Sequence, residues 1–230
     1  MMAHDLIIFD CDGTLVDSEY LNNKACADAL AKNGAAYELD EVLVRFGGMT
    51  MTNIAKIVLD ERGVRLPENF VDDFIELART YKAGNLKAVT GALPAVRELT
   101  QSYKTCVASN GERGLVFESL HMTAFDALFD EAQVFTRIQV AQGKPAPDLF
   151  LYAAEQMEAR PDRCLVIEDS PTGVLAAVAA KMDVIGFTGA THDPGDVAGK
   201  LRSAGADIIF TNWDDILHYI KGLTGQKMAL

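Results

Sequence analysis

Leu6-Ile7-Ile8-Phe9-Asp10-Cys11-Asp12-Gly13-Thr14 is an unbroken apolar run that ends in two acids and a glycine. Consecutive apolar residues without polar alternation are what a strand covered on both faces requires, as in a parallel sheet. Similar runs recur at Thr105-Cys106-Val107-Ala108, Cys164-Leu165-Val166-Ile167, Val184-Ile185-Gly186-Phe187 and Ile208-Ile209-Phe210, with Ala132-Gln133-Val134-Phe135 a weaker sixth. Between them the apolar residues fall at helical spacing: Val96 and Leu99 behind Pro94, Val116 and Leu120, Leu149 and Ala153, Val174 and Val178. Strand alternating with helix predicts an α/β fold, a doubly wound Rossmann-like parallel sheet.

One stretch breaks the alternation. From about residue 19 to 88 the periodicity is helical only. Leu21, Ala25, Ala29 and Leu30 share a face, as do Leu39, Leu43 and Phe46, then Ile54, Ile57 and Val58, then Phe70, Phe74, Leu77 and Tyr81. Gly34 and Gly63 read as helix stops and Pro67 as a first-turn proline. The chain leaves the sheet after one strand, builds a helical bundle and returns near Gly91. The expected organisation is an α/β core of residues 1–16 and 89–230 with a helical domain, residues 17–88, inserted. Stripes at such spacing are core far more often than a cofactor box.

The 230 residues carry 21 basic and 33 acidic side chains, a formal charge of −12. Such a surface repels phosphate backbones and anionic lipid, so neither nucleic acid nor membrane is an expected partner. No apolar run is long enough to span a bilayer. The start, Met1-Met2-Ala3-His4-Asp5, lacks a secretory pattern. Cys11, Cys26, Cys106 and Cys164 lack paired zinc-type spacing, and the three in apolar or helix-like surroundings are expected to be small buried thiols. A cytoplasmic protein, monomeric or at most dimeric, is the expectation. Any phosphate handled by so acidic a chain needs a local positive field.

Three strand ends supply chemistry. Asp10 and Asp12 lie two apart in an extended exit, where ligands gather at the carboxyl ends of parallel strands, and Gly13 permits the turn that frees them. Alone, D-x-D-G is as consistent with an acidic turn. Ser109-Asn110-Gly111 closes the second run before a helix, where free N–H groups favour an anion and an N-cap is the common role. Glu168-Asp169-Ser170 closes a buried run, a costly place for two acids unless they meet a cation or solvent. Lys144 sits in the stiff Gly143-Lys144-Pro145-Ala146-Pro147. Jointly these make a hard-oxygen metal site beside an anion site.

The chain resembles the haloacid dehalogenase superfamily of phosphatases, whose motifs appear in order: D-C-D-G-T-L-V-D-S, V-A-S-N, G-K-P-A-P-D and I-E-D-S-P-T-G. A helical cap inserted directly after the first motif is the arrangement of its β-phosphoglucomutase-like branch. The resemblance implies that Asp10 is a nucleophile forming an aspartyl-phosphate and that Asp12 is the acid/base. It implies that Ser109 and Lys144 hold the phosphoryl oxygens with help from Asn110. Mg²⁺ would lie on Asp10, the main-chain carbonyl of Asp12 and Asp169, with Glu168 ligating directly or through water. The cap would set specificity through Gly48, Met49 and Thr50, with Arg45, Phe46, Gly111 and Arg113 as further candidates. The implied substrate is a small phosphorylated metabolite, a sugar phosphate or a phosphorylated sugar acid.

Other reaction classes fit these residues less well. Dehalogenases need no metal and usually lack the second aspartate. Mutases carry a histidine where this chain has Asn22, and a distal-phosphate arginine where it has Met51; without an Arg fork a second phosphate is poorly held. Phosphonatases need an imine-forming cap lysine, for which Lys24 and Lys56 are the candidates. A non-catalytic phosphate-binding regulatory module would use a comparable acidic cluster, but receivers are about half this length and lack a cap. His4, His121, His192 and His218 occupy no motif, and Trp213 is expected to serve packing.

Overall fold

The structure, a computed structural model, describes residues 4–46, 49–191 and 193–225. Its strands are β1 (Leu6–Phe9), β2 (Lys104–Ser109), β3 (Val134–Thr136), β4 (Cys164–Glu168), β5 (Asp183–Phe187) and β6 (Ile208–Phe210). Among the described residues they form one parallel sheet in the order β3-β2-β1-β4-β5-β6. The chain steps from β1 outward to β3, then returns to the other side of β1 and steps outward to β6. Strand order reverses at β1, which puts the ends of β1 and β4 beside the crevice where such sheets bind ligands.

Ten α-helices accompany the strands among the described residues: α1 (Glu19–Lys32), α2 (Leu39–Phe46), α3 (Met51–Arg62), α4 (Phe70–Lys82), α5 (Ala92–Leu99), α6 (Arg113–Met122), α7 (Asp148–Gln156), α8 (Pro171–Ala179), α9 (Pro194–Ala204) and α10 (Trp213–Gly225). No single one of them is long and apolar enough to cross a membrane. Ala132 and Gln133 belong to a 3₁₀ turn, and the weak sixth strand begins only at Val134. That turn is closed by Gln133 Oε1 accepting from Asp130 N, a local bond that competes with the ladder.

Two compact units result: Ser18–Lys87, and the described residues up to Asp17 and from Ala88 onward. In the sheet unit, successive side chains of β1 face opposite layers, so the whole strand is buried. Leu6 and Ile8 join Cys106, Ala108, Val166, Leu149, Phe150 and Ala176 beneath α7 and α8. On the opposite face Phe9 meets the rings of Phe129 at 6.0 Å and Trp213 at 5.9 Å. Where the chain leaves and re-enters this unit, Val16 bridges Ala88, and Val89 N donates to Leu15 O at 2.8 Å.

Ser18–Lys87 holds α1 to α4 around Ala29, Leu30, Val42, Phe46, Ile54, Val58 and Phe70. In α2 the buried residues are Val42 and Phe46, while Leu43 is only half-buried. Gly34 and Gly63 adopt the positive φ of helix stops. Pro67, however, lies before the N-cap Asn69 rather than in the first turn of α4, and its carbonyl accepts from Phe70 N. Asp73, facing α1, accepts from Lys32 at 2.6 Å and Asn33 at 3.0 Å.

Leu30 is fully buried in this bundle. Leu30→Ala should cost about 2–5 kcal/mol through lost burial and a residual cavity. In hydrogen exchange the loss should register in α1–α4 first; full protection there would show that the bundle does not depend on this stripe.

Candidate active site

Asp10 follows β1 and extends its ladder, since Asp10 N donates to Ile167 O at 3.0 Å. The chain then turns sharply: Gly13 takes φ 85°, and Val16 N donates back to Cys11 O. The φ alone favours glycine, and a Cβ at Gly13 would also collide with the carboxylate of Asp169. Thr14 Oγ1 donates to Asp169 Oδ1 at 3.2 Å, while Thr14 O accepts from the indole of Trp213 at 3.2 Å. Trp213 therefore holds the turn as well as filling the layer.

The centre of the site is Lys144. Its ammonium donates to Asp10 Oδ1 at 2.5 Å and to Glu168 Oε1 at 2.7 Å, with the Phe150 ring centroid 4.8 Å away. All three charged groups are nearly out of solvent: Lys144 is 6% exposed, Asp10 7% and Glu168 0%. Glu168 Oε2 accepts from both the backbone N–H of Ser170, at 2.8 Å, and its hydroxyl, at 2.9 Å. Ser170 also caps α8, its Oγ accepting from Gly173 N at 3.1 Å. A Cβ at Gly173 would collide with the Glu168 carboxylate, so the helix start is glycine where the acid needs room.

The second strand end lies beside this cluster. Ser109, the last residue of β2, is buried, and its Oγ accepts from Gly111 N at 3.0 Å. A side chain on Gly111 would meet Ser109 Oγ at 3.1 Å and Asp12 Oδ2 at 3.3 Å, so Gly111 lies against both groups. Asn110 bonds the backbone of Lys144 twice, accepting from its N at 2.9 Å and donating to its O at 3.0 Å.

Burial pushes the Asp10 carboxyl up to about 8, against the pull of Lys144 and with help from Glu168 and Asp12. For Lys144, burial works downward, but Asp10 and then Glu168 outweigh it and hold the ammonium above its ordinary value. Asp10 and Glu168 grip the lysine, Asp12 lies close enough to Asp10 to raise its pKa, and Asp169 meets Thr14 at the turn that follows. An all-oxygen donor set with unbalanced negative charge suits a hard divalent cation. Among the described residues no three His, Cys, Asp or Glu side chains form a ready ligand cluster. The magnesium site implied by resemblance takes oxygen donors alone, the carboxylates of Asp10 and Asp169 and the main-chain carbonyl of Asp12, with Glu168 directly or through water, and these residues carry that donor chemistry.

Thr50 caps α3, its Oγ1 accepting from Asn53 N at 3.3 Å, and Met49 is 38% exposed; Gly48 lies outside the described residues. Arg45 is held by Glu41 at 2.6 Å and Glu61 at 2.5 Å, and Arg113 by Glu131 at 3.0 Å. Lys24 pairs with Asp28 at 2.9 Å. The roles of Thr14, Gly143, Ser170, Gly173 and Trp213 escaped sequence reasoning. P-T-G after the acidic pair signals a helix start, but nothing local says that its glycine makes room for Glu168.

The family of haloacid dehalogenase-like hydrolases matches this chain over residues 7–187. A 6-phosphogluconate phosphatase of Escherichia coli K12 is 30% identical over 205 residues, 88% of this chain and 91% of that protein. A conserved haloacid dehalogenase-like protein of Agrobacterium tumefaciens superposes with a TM-score of 0.81 at 32% identity, covering 96% of this chain and all of the other. A hydrolase of the same family from Deinococcus radiodurans, solved with bound phosphate and sodium, gives 0.72 at 29% identity, covering 93% of each chain.

Gly13→Ala should destabilise the protein by about 1–3 kcal/mol from the left-handed backbone alone, and by more if Asp169 cannot move aside. An unchanged urea midpoint would mean that the turn reaches another conformation at no cost.

Proposed function

The chain belongs to the haloacid dehalogenase-like hydrolases, and from that premise we propose that it is a magnesium-dependent phosphatase acting through an aspartyl-phosphate on Asp10. The observation that carries this is the buried ammonium of Lys144 held against Asp10. A carboxylate attacks a phosphate dianion only where positive charge cancels the repulsion, and this chain supplies a fixed cation at the attacking atom. Residues 17–88 act as the cap and residues 1–16 with 89–230 as the catalytic core.

In the first half-reaction an Asp10 carboxylate oxygen bonds to phosphorus as the ester P–O bond breaks. Asp12 gives its proton to the departing oxygen. Ser109 and Lys144 hold the phosphoryl oxygens. In the second half a water oxygen bonds to phosphorus, Asp12 takes its proton, and Asp10 leaves as a free carboxylate with inorganic phosphate. Mg²⁺, held by Asp10, the carbonyl of Asp12 and Asp169, would supply electrostatic neutralisation of the phosphoryl charge. Glu168 keeps the ammonium of Lys144 in place.

The substrate is a small phosphorylated metabolite, a sugar phosphate or a phosphorylated sugar acid. The similarity to 6-phosphogluconate phosphatase supports this choice. Gly48, Met49 and Thr50 are the cap residues proposed to meet it. Arg45 and Arg113 are spent on ion pairs, so neither is offered as a clamp. Met51 in the first turn of α3 has no guanidinium for a second phosphate, which favours hydrolysis over mutase chemistry.

Asp10→Asn should lower hydrolysis of p-nitrophenyl phosphate by at least about 10³-fold while the fold persists. Chelation by EDTA should abolish turnover, and added Mg²⁺ should restore it. Residual turnover near wild type in Asp10→Asn would remove the nucleophile from this scheme. Phosphate release from a panel of sugar phosphates and phosphorylated sugar acids, with Asp10→Asn as blank, would identify the substrate class.

A further inference from the structure

We infer that Asn110 is a positioning residue that acts through Lys144 rather than a ligand of the substrate phosphate; this rests on the function proposed above. The parallel ladder between β2 and β3 ends at Ser109 and Thr136. Just past it the Asn110 carboxamide takes the place of a further strand rung, accepting from Lys144 N at 2.9 Å and donating to Lys144 O at 3.0 Å. The orientation of the amide is settled by its partners: a backbone N–H can only donate and a carbonyl can only accept, so a flipped amide would lose both bonds.

The neighbouring residue is shaped to the same contact. A Cβ on Gly143 would fall 2.5 Å from Asn110 Oδ1 and 3.3 Å from Arg137 Cγ. Any side chain there drives the carboxamide off Lys144. Lys144 itself belongs to the irregular connection between β3 and α7, outside any helix or strand. Its ammonium must nonetheless reach two buried carboxylates at 2.5 and 2.7 Å. A flexible four-carbon stem holds such a point only if its backbone origin is fixed. The clasp fixes it, and the Phe150 ring flanks the other end of the side chain.

A group that acts by aiming a cation affects the transition state more than substrate binding. In Asn110→Ala, kcat on p-nitrophenyl phosphate with Mg²⁺ should fall about 10- to 100-fold, the loss typical of slight misplacement of a catalytic group, with KM much less affected. Gly143→Ala should reproduce this loss with the carboxamide intact, and Asn110→Ala with Gly143→Ala together should be no worse than either alone. The deciding comparison is the cycle with Lys144→Ala. Once the ammonium is gone, Asn110→Ala should change neither the residual turnover nor the calorimetric affinity for inorganic phosphate by more than about two-fold. Phosphate binding provides the reading if turnover is too low to measure, and far-UV circular dichroism checks the fold of each variant. An Asn110→Ala loss that persists in full in the Lys144→Ala background, in either quantity, overturns the inference and makes Asn110 a direct ligand. Lys144→Ala turning over like wild type would instead sink the proposed function.

Discussion

A single ammonium between two carboxylates, all three withdrawn from water, is the constraint around which the rest of the site is built. Burying charge is costly, and the attraction inside repays it only when geometry is good and every remaining lone pair is met. Removing one partner from such a pair typically costs about 3–5 kcal/mol. The protein meets that requirement group by group. Asp10 and Glu168 flank the Lys144 ammonium, Ser170 satisfies the other oxygen of Glu168 twice, and Asn110 occupies the lysine's own backbone. Gly143 and Gly173 stand where a side chain would strike Asn110 and Glu168, and Gly13 where one would strike Asp169.

The sheet explains why residues so distant in sequence meet. β1 and β4 are hydrogen-bonded neighbours in parallel register, Phe9 opposite Ile167, so the residues that follow them emerge side by side. β2 adjoins β1 on the other side with Phe9 opposite Val107, which brings Ser109 to the same edge. The apolar layers do the positioning. α7 and α8 pack their alanine and leucine faces on β1, β2 and β4, and their first turns arrive at the strand ends carrying Lys144 just before α7 and Ser170 at the cap of α8.

The charge of the whole chain makes the local field more telling. At −12 the protein repels anions overall, so a phosphate must be drawn by something built into the site. Four of the arginines, Arg45, Arg113, Arg160 and Arg163, are already held in ion pairs with acids. At Asp10 the positive charge is the Lys144 ammonium, kept protonated by two acids. Lys144 pulls Asp10 toward its anion, which burial by itself opposes.

What could be read from the chain alone was whatever leaves a local trace. Unbroken apolar runs marked the buried parallel strands, because a strand covered on both faces has no polar side to show. Asp10, Asp12, Ser109, Lys144, Glu168 and Asp169 stood out because charge and hydroxyl at a strand's end are unusual and came in a known order. Only the tertiary structure decided what those groups do to one another. That Glu168 grips the lysine, that Asn110 spans to a backbone 34 residues away, that Trp213 steadies the turn beyond Asp12 through Thr14, and that Gly143 and Gly173 are gaps made for polar neighbours are facts of proximity. Hydrophobic patterning records which side of an element is buried; it carries no record of which distant side chain will occupy the space beside it.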